Sequence, residues 1–409
     1  MTTRPVHVPE RLVVDYDGLA SEETAAELLA RARDWQALGP VVWTDSNHGH
    51  WVALSAELNR YILSNTDKFS SAKPGQGITL TRSERELHVP LELDGAEHRR
   101  YRKVLTPLFS PARVRKLEDQ VRELAAGLID GMLAKDVTDI VADFSRPLAS
   151  SMFLGLVDWP LEDRHVLEPI VERELNGRRG ESKEEKAKTK SEAVQELAAY
   201  VRARVAERQQ NPADDMTTVL INATLDDGST IPESRLIPML VLLCLAGLDT
   251  TQSVLSRSLD YLGRHEDAQD YFRSHLEALP GMVEELLRWS TPAVPNRTVV
   301  EDCELGGVQM RAGDTVQCLL QVANRDEDDF DAPWSFDLDR PRNRHVAFSV
   351  GPHTCIGSGL ARVMLKTALD EFHRKVDRYE VVDSESHTGA VWGMRSVRMT
   401  LSVHEAAAL

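Results

Sequence analysis

One short segment concentrates the chemistry of this chain. FSVGPHTCIGSGLAR, Phe348 to Arg362, sets Cys355 among Gly351, Gly357 and Gly359, two residues after His353 and seven before Arg362. A nucleophilic cysteine needs a base, and His353 is near in sequence, but side chains at i and i+2 need not meet productively. A zinc site needs further Cys or His ligands at workable spacing. The other cysteines, Cys244, Cys303 and Cys318, form no CxxC pair and no regular spacing, so neither a thiolate zinc site nor a disulfide framework follows.

A thiolate bound to haem iron needs only one cysteine, in a loop where backbone N–H groups can approach the sulfur, and glycines permit that. A helix starting near Ser358 would aim the positive end of its dipole at the thiolate. Haem also carries two propionates, for which His98, Arg102, Arg297 and His353 are the basic partners on offer.

Three further stretches hold polar groups where packing alone would not place them. Ala246-Gly247-Leu248-Asp249-Thr250-Thr251 interrupts a run, Leu236 to Leu248, that is otherwise uncharged. Gly in a helix interior costs about 1 kcal/mol against Ala, and a buried carboxylate costs more unless paired. Threonine hydroxyls can bond back to the carbonyl at i−4, so a groove for water or ligand is one reading and a satisfied structural Asp another. Glu285 and Arg288 sit three apart on one helical face, followed by a proline-stiffened path through Pro292 and Pro295 to Arg297. His98-Arg99-Arg100-Tyr101-Arg102-Lys103 is a basic run in an acidic chain; solvation of a surface is its plain reading, and an anion site with a partner-docking patch is the functional one.

The elements that must position these groups are mostly helical. Ser110–Leu133, Ser182–Arg208, Leu236–Leu262, His265–Leu279 and Gly359–Val376 read as helices. VVWTDSNHGHWVALS, CELGGVQMRAGDTVQCLLQV and VWGMRSVRMTLSV read as hairpin or strand segments. The expected fold class is mainly α with small β-sheets. The 409 residues carry a net charge of −17, which argues against a generic nucleic-acid binder. The amino terminus has neither a signal peptide's apolar core nor a spanning segment, so the expected location is cytoplasmic with no membrane anchor. The charged stretch Gly177 to Lys190 reads as an exposed turn opening a helix, and a mobile loop over a site is also compatible.

Taken together these motifs resemble a soluble, bacterial-type cytochrome P450. Phe348, Gly351, His353, Cys355, Gly357 and Leu360-Ala361-Arg362 match that family's haem signature; Ala246 to Thr251 is similar to its oxygen-activation segment, and Glu285 with Arg288 to its Glu-x-x-Arg pair, with Arg340 as the third member. Ser349 departs from the Gly usual there. The resemblance implies one cytochrome P450 domain over residues 1–409, with a β-containing part to about residue 95, a helical haem core beyond it and a long central helix over the haem. It implies haem b ligated by Cys355, O2 as co-substrate, and NAD(P)H electrons arriving through a separate ferredoxin and ferredoxin reductase. Thr250 would hold the oxygen being reduced or its water, and Asp249 would relay protons. His98, Arg102, Arg297 and His353 would bind propionates, with Phe348 and Gly357 beside the sulfur.

By the same resemblance, Leu242, Leu245, Ala246, Ala293, Val294 and Trp392 would line the substrate pocket, with residues from Ser71 to Leu93 and the loop near Gly177. Arg99, Arg100, Lys103, Arg113 and Lys116 would form the docking face of a monomer. Gly49-His50-Trp51-Val52 and Gly247-Leu248-Asp249-Thr250 look like monoterpene hydroxylases, making a terpenoid the leading substrate; steroids, polyketides and aromatic acids remain, and Arg82 and Arg85 either meet a substrate carboxylate or, as is commoner for such residues, lie in solvent. A peroxygenase or isomerase without a redox partner, and a haem sensor, are the rival functions.

Overall fold

The uncharged run forms the middle of a 32-residue helix, Glu233–Arg264, roughly 48 Å long at ~1.5 Å per residue. Every residue from Leu236 to Leu245 is buried, as a helix apolar on all sides must be. It is long and apolar enough to cross a membrane, but 78% of its apolar window is buried inside the protein. It is therefore a core helix, packed against Arg146–Val157, Lys183–Gln210 and the C-terminal sheet.

The computed structural model describes residues 4–18, 23–72 and 87–403. The strands are β1 (Val41–Thr44), β2 (His50–Ala53), β3 (Phe69–Ser70), β4 (Thr138–Asp139), β5 (Asn296–Val299), β6 (Cys303–Leu305), β7 (Val308–Met310), β8 (Thr315–Cys318), β9 (Val376–His387) and β10 (Gly393–Val403). They form a five-stranded sheet in the order β1-β2-β8-β5-β3, a three-stranded sheet β4-β10-β9 and the hairpin β6-β7. The β2–β8 pairing is parallel. Because β5 and β8 come from the second half of the chain, the sheet begun before residue 95 is completed only by segments that follow the central helix.

Local signals set the helix ends. Ser182 caps Lys183–Gln210 through a capping box with Glu185, the Ser-x-x-Glu pattern visible in sequence. The expected Ser110–Leu133 helix is divided into Pro111–Arg115 and Glu118–Leu133. His265–Leu279 is helical only over Glu266–Ser274 before a 3-10 turn. The turn after Gly177 is tied down on both sides, with Thr189 Oγ1 donating to Glu181 at 2.6 Å and Lys190 Nζ to the Leu175 carbonyl at 2.8 Å.

A buried charge network holds the path toward Cys355. Glu285, on the helix Leu279–Trp289, accepts from Arg288 Nε and Nη2 at 2.7 Å each, from the Asp337 N–H at 2.8 Å, from Asn343 Nδ2 at 3.0 Å and from Arg340 Nε at 3.1 Å. Arg288 also donates to the carbonyls of Asn324, Pro333 and Ser335. Removing one member of a buried ion pair strands the other charge, at about 3–5 kcal/mol. Glu285→Ala is therefore expected to lower the unfolding free energy by an amount in that range, read as a lower denaturant midpoint. An unchanged midpoint would show that the network contributes nothing to the fold.

Candidate functional site

Cys355 lies at the end of a tightly folded loop. Its N–H donates to the Phe348 carbonyl at 2.8 Å, and the Ser349 N–H to the Val346 carbonyl at 2.9 Å. Gly351 turns the chain at φ 73°, and a Cβ there would lie 2.7 Å from Ser64 Cα and 2.9 Å from the Leu63 carbonyl oxygen. Both the dihedral and the space demand glycine. Ser349 occupies the left-handed region at φ 60°, so the turn survives the serine at some cost in strain. The helix Ser358–Lys375 follows at once.

Although the Cys355 residue is exposed toward the cavity, desolvation by the protein packed around its sulfur pushes the thiol up, against backbone N–H donors from Gly357 and Ser358 and the charges of Arg102 and Arg362. The donors expected from sequence are present, but burial outweighs them. A cation bound directly to the sulfur would reverse that balance.

The cavity that Cys355 borders also meets His98, Arg102, Arg297 and His353. Arg297, on β5, is buried; its Nη1 donates to the Asn296 carbonyl at 2.7 Å, and its Nε has no partner among the described residues. Arg102 Nη2 donates to the Thr354 carbonyl at 2.9 Å. Neither guanidinium forms an ion pair with a described carboxylate, an expensive state for the buried Arg297, less so for the half-buried Arg102, and one that an anionic ligand relieves. The His98 and His353 rings lie 4.2 Å apart. Burial and the nearby charges push His98 down to about 4. His353 Nε2 lies 3.1 Å from both Asp94 Oδ1 and Ser71 Oγ. Burial alone would raise Asp94, but hydrogen bonds from His353, Ser70 and Ser71 hold it well below the usual carboxylate range.

Opposing walls come from one stripe of the central helix: Leu242, Leu243, Ala246, Gly247, Thr250, Thr251 and Val254, the spacing of a single helical face. Thr250 Oγ1 donates to the Ala246 carbonyl at 2.7 Å, the back-bond expected from sequence. Gly247 is small for a reason the sequence did not disclose: a Cβ would meet Phe153 Cδ2 at 2.5 Å. Asp249 is buried and does not line the cavity; its Oδ1 accepts from Gln252 Nε2 at 2.9 Å, Oδ2 has no described partner, and burial pushes its carboxyl up.

A sequence profile of the cytochrome P450 family matches residues 180–386. A probable cytochrome P450 127A1 of Sinorhizobium fredii is 31% identical, covering 97% of this chain and 96% of its own length. The chain belongs to the cytochrome P450 family. It is similar, at 33% identity over 90% of this chain and 82% of the relative, to the 20-oxo-5-O-mycaminosyltylactone 23-monooxygenase of Streptomyces fradiae. The crystal structure of CYP101J2 superposes with a TM-score of 0.86 at 25% identity, over 98% of this chain and all of the other; CYP101C1 gives the same score at 26%. The protein is a cytochrome P450 monooxygenase, and its site fits haem. One sulfur, two guanidinium groups without carboxylate partners and a mostly apolar wall meet in one cavity.

Several residues expected at this P450's site lie elsewhere. Leu245 belongs to the hydrophobic core beside the cavity, because at ~100° per residue it falls on the side of the helix away from the stripe centred on Leu243 and Thr250. Val294 and Trp392 are packed with Tyr16, Leu28 and Trp35 under the large sheet. The extended segment alternates, so Ala293 faces the cavity and Val294 points away, while the Trp392 N–H pairs with the Pro292 carbonyl at 2.8 Å. No residue between Leu156 and Met216 lines the cavity, so the loop near Gly177 does not. Of Ser71 to Leu93, Pro90 and Leu91 do; Arg82 and Arg85 fall outside the described residues. Asp94 and Phe153 were missed because their partners are remote in sequence, although Asp94 stands one helical turn before His98; Ser71, expected at the pocket wall, instead bonds Asp94 and His353.

Gly351→Ala is expected to cost about 2 kcal/mol or more through dihedral strain and overpacking, seen as a lower thermal midpoint with reduced haem occupancy. Ser349→Gly should raise the midpoint by releasing about 1 kcal/mol. Equal midpoints for the native protein and Gly351→Ala would contradict this account of the loop.

Proposed function

We propose that this monooxygenase hydroxylates a neutral, hydrophobic small molecule, a terpenoid first among the candidates, with electrons drawn from NAD(P)H through a ferredoxin and its reductase. The character of the wall supports this reading. Apart from Cys355 and the basic cluster, its polar side chains are Thr250, Thr251 and Ser349, and no described carboxylate lines it. Such a wall selects by shape and apolar contact. The tylactone relative supports a polyketide as the second substrate class.

In this reading Cys355 would ligate the haem iron, and Arg102, Arg297, His98 and His353 would hold the propionates. Haem supplies the redox chemistry that splits O2 and delivers one oxygen atom to a C–H bond, with the thiolate favouring O–O cleavage. Leu242, Ala246 and Ala293 hold the substrate and exclude water. Thr250, released from the Ala246 carbonyl, offers its hydroxyl to the cavity. Asp249 keeps a proton in reserve behind the helix because burial favours its neutral form; it reaches the cavity through Thr250 or water rather than directly.

The electron donor's docking face narrows. Arg100 is paired with Asp227 and Lys103 with Asp226, both on the turn between Thr224 and Thr230. Arg99, Arg113 and Lys116 remain exposed and suit an acidic ferredoxin in solution, the cytoplasmic setting this reading takes.

Four measurements test the reading. Cys355→Ala should abolish the carbon monoxide difference band that gives the family its name; a normal band would remove Cys355 as ligand. Thr250→Ala should divert electrons from product to hydrogen peroxide, and unchanged coupling would take Thr250 out of the mechanism. A spectral titration with terpenoids, macrolide lactones, steroids and aromatic acids should show the tightest shift for a terpenoid. Turnover by peroxide alone, never by ferredoxin, reductase and NAD(P)H, would favour a peroxygenase.

A further inference from the structure

Arg362, Glu284 and His345 form a charged cluster beside the sulfur that none of the roles above uses. Arg362 Nε and Nη2 donate to Glu284 Oε1 and Oε2 at 2.7 and 2.8 Å, a two-pronged pairing that fixes the guanidinium plane. His345 Nε2 lies 3.0 Å from the same Glu284 Oε2. The Ala347 N–H donates to His345 Nδ1 at 3.2 Å, which makes Nδ1 the acceptor and leaves Nε2 to donate to Glu284. Neutral histidine therefore serves.

The consequence of this clamp is a cation in a defined place. The Arg362 guanidinium carbon lies 4.6 Å from the centre of the Phe348 ring, and Phe348 accepts the Cys355 N–H while lining the same cavity as the sulfur. A surface ion pair adds little to stability, and Arg362 keeps 40% of its side chain exposed. A three-way clamp joining the helix Leu279–Trp289, the approach to the loop and the helix Ser358–Lys375 is more than an ordinary surface pair requires.

We propose that Glu284 and His345 hold Arg362 over Phe348 as a fixed positive charge that sets the reduction potential at the Cys355 site. Reduction adds negative charge beside the sulfur, and a cation nearby favours it. Glu284 and His345 are positioning residues in this scheme, and Arg362 acts through the ring without touching the cofactor.

The test is a potentiometric titration of the holoenzyme with small mediators and no ferredoxin. Arg362→Gln should lower the equilibrium constant for reduction about tenfold or more, a negative shift of about 59 mV for one electron, with the carbon monoxide band intact. Arg362→Lys, which keeps the charge and loses the fork, should shift less. Glu284→Gln keeps an acceptor for Arg362 but removes the opposing charge, so its potential should rise. An unmoved potential in Arg362→Gln with a normal band overturns the proposal, as do shifts of the same sign in Arg362→Gln and Glu284→Gln. Loss of ferredoxin-driven turnover at native potential would make Arg362 a docking residue instead. If Arg362→Gln does not take up haem, Glu284→Gln decides alone, and a native potential there overturns the proposal.

Discussion

A carboxylate without water must be answered by donors on every side, and Glu285 dictates more of this molecule than any other single group. Its oxygens gather Arg288, Arg340, Asn343 and the Asp337 N–H. Arg288 then gathers the carbonyls of Asn324, Pro333 and Ser335. Asn324 continues the chain of constraint, since its Oδ1 accepts the Val346 N–H at 2.8 Å and its Nδ2 donates to Thr291 Oγ1 at 2.7 Å. Val346 opens the cysteine loop. A long segment with little regular structure thereby has one path, because any other would strand a buried charge.

The site itself is electrostatically lopsided. Arg297 and Arg102 bring positive charge to a mostly apolar cavity without matching carboxylates among the described residues, and the Asp94 carboxylate is turned to His353 and two serines. The sulfur at the other end is pushed toward its neutral form. A ligand with two anionic arms and a cationic centre would correct both ends at once, so in the proposed reading haem binding and fold stability would be coupled through the same residues.

What the sequence made legible is what depends on neighbours in the chain. The glycine-framed loop, the helix from Ser182, the Thr250 back-bond and the Glu285–Arg288 pair follow from local spacing, and Arg340 follows from family resemblance. What stayed hidden depends on which remote element arrives opposite. Gly247 looked like a device for opening the helix, but Phe153 packs onto it. Arg100 and Lys103 looked like free docking charges, but an acidic turn already meets them. Leu245, Val294 and Trp392 were apolar and near the right segments, yet side-chain direction, set by a helical face or an extended alternation, sent each into the core. Hydrophobicity alone cannot separate a pocket wall from the packing behind it.

The link between His353 and Asp94 spans 259 positions of sequence, and the large sheet begun by β1 and β2 is completed by β8 and β5. On a ribosome adding ~5–20 residues per second, Asp94 would wait on the order of 10–50 s for its partner. For most of that interval the edge of β2 that later pairs with β8 has no strand to cover it, since β8 is made only at Thr315–Cys318, and the cofactor cradle has only one side. Haem capture is thus a late event in the life of each chain, and shielding an unfinished sheet edge is a demand that synthesis imposes before any substrate is met.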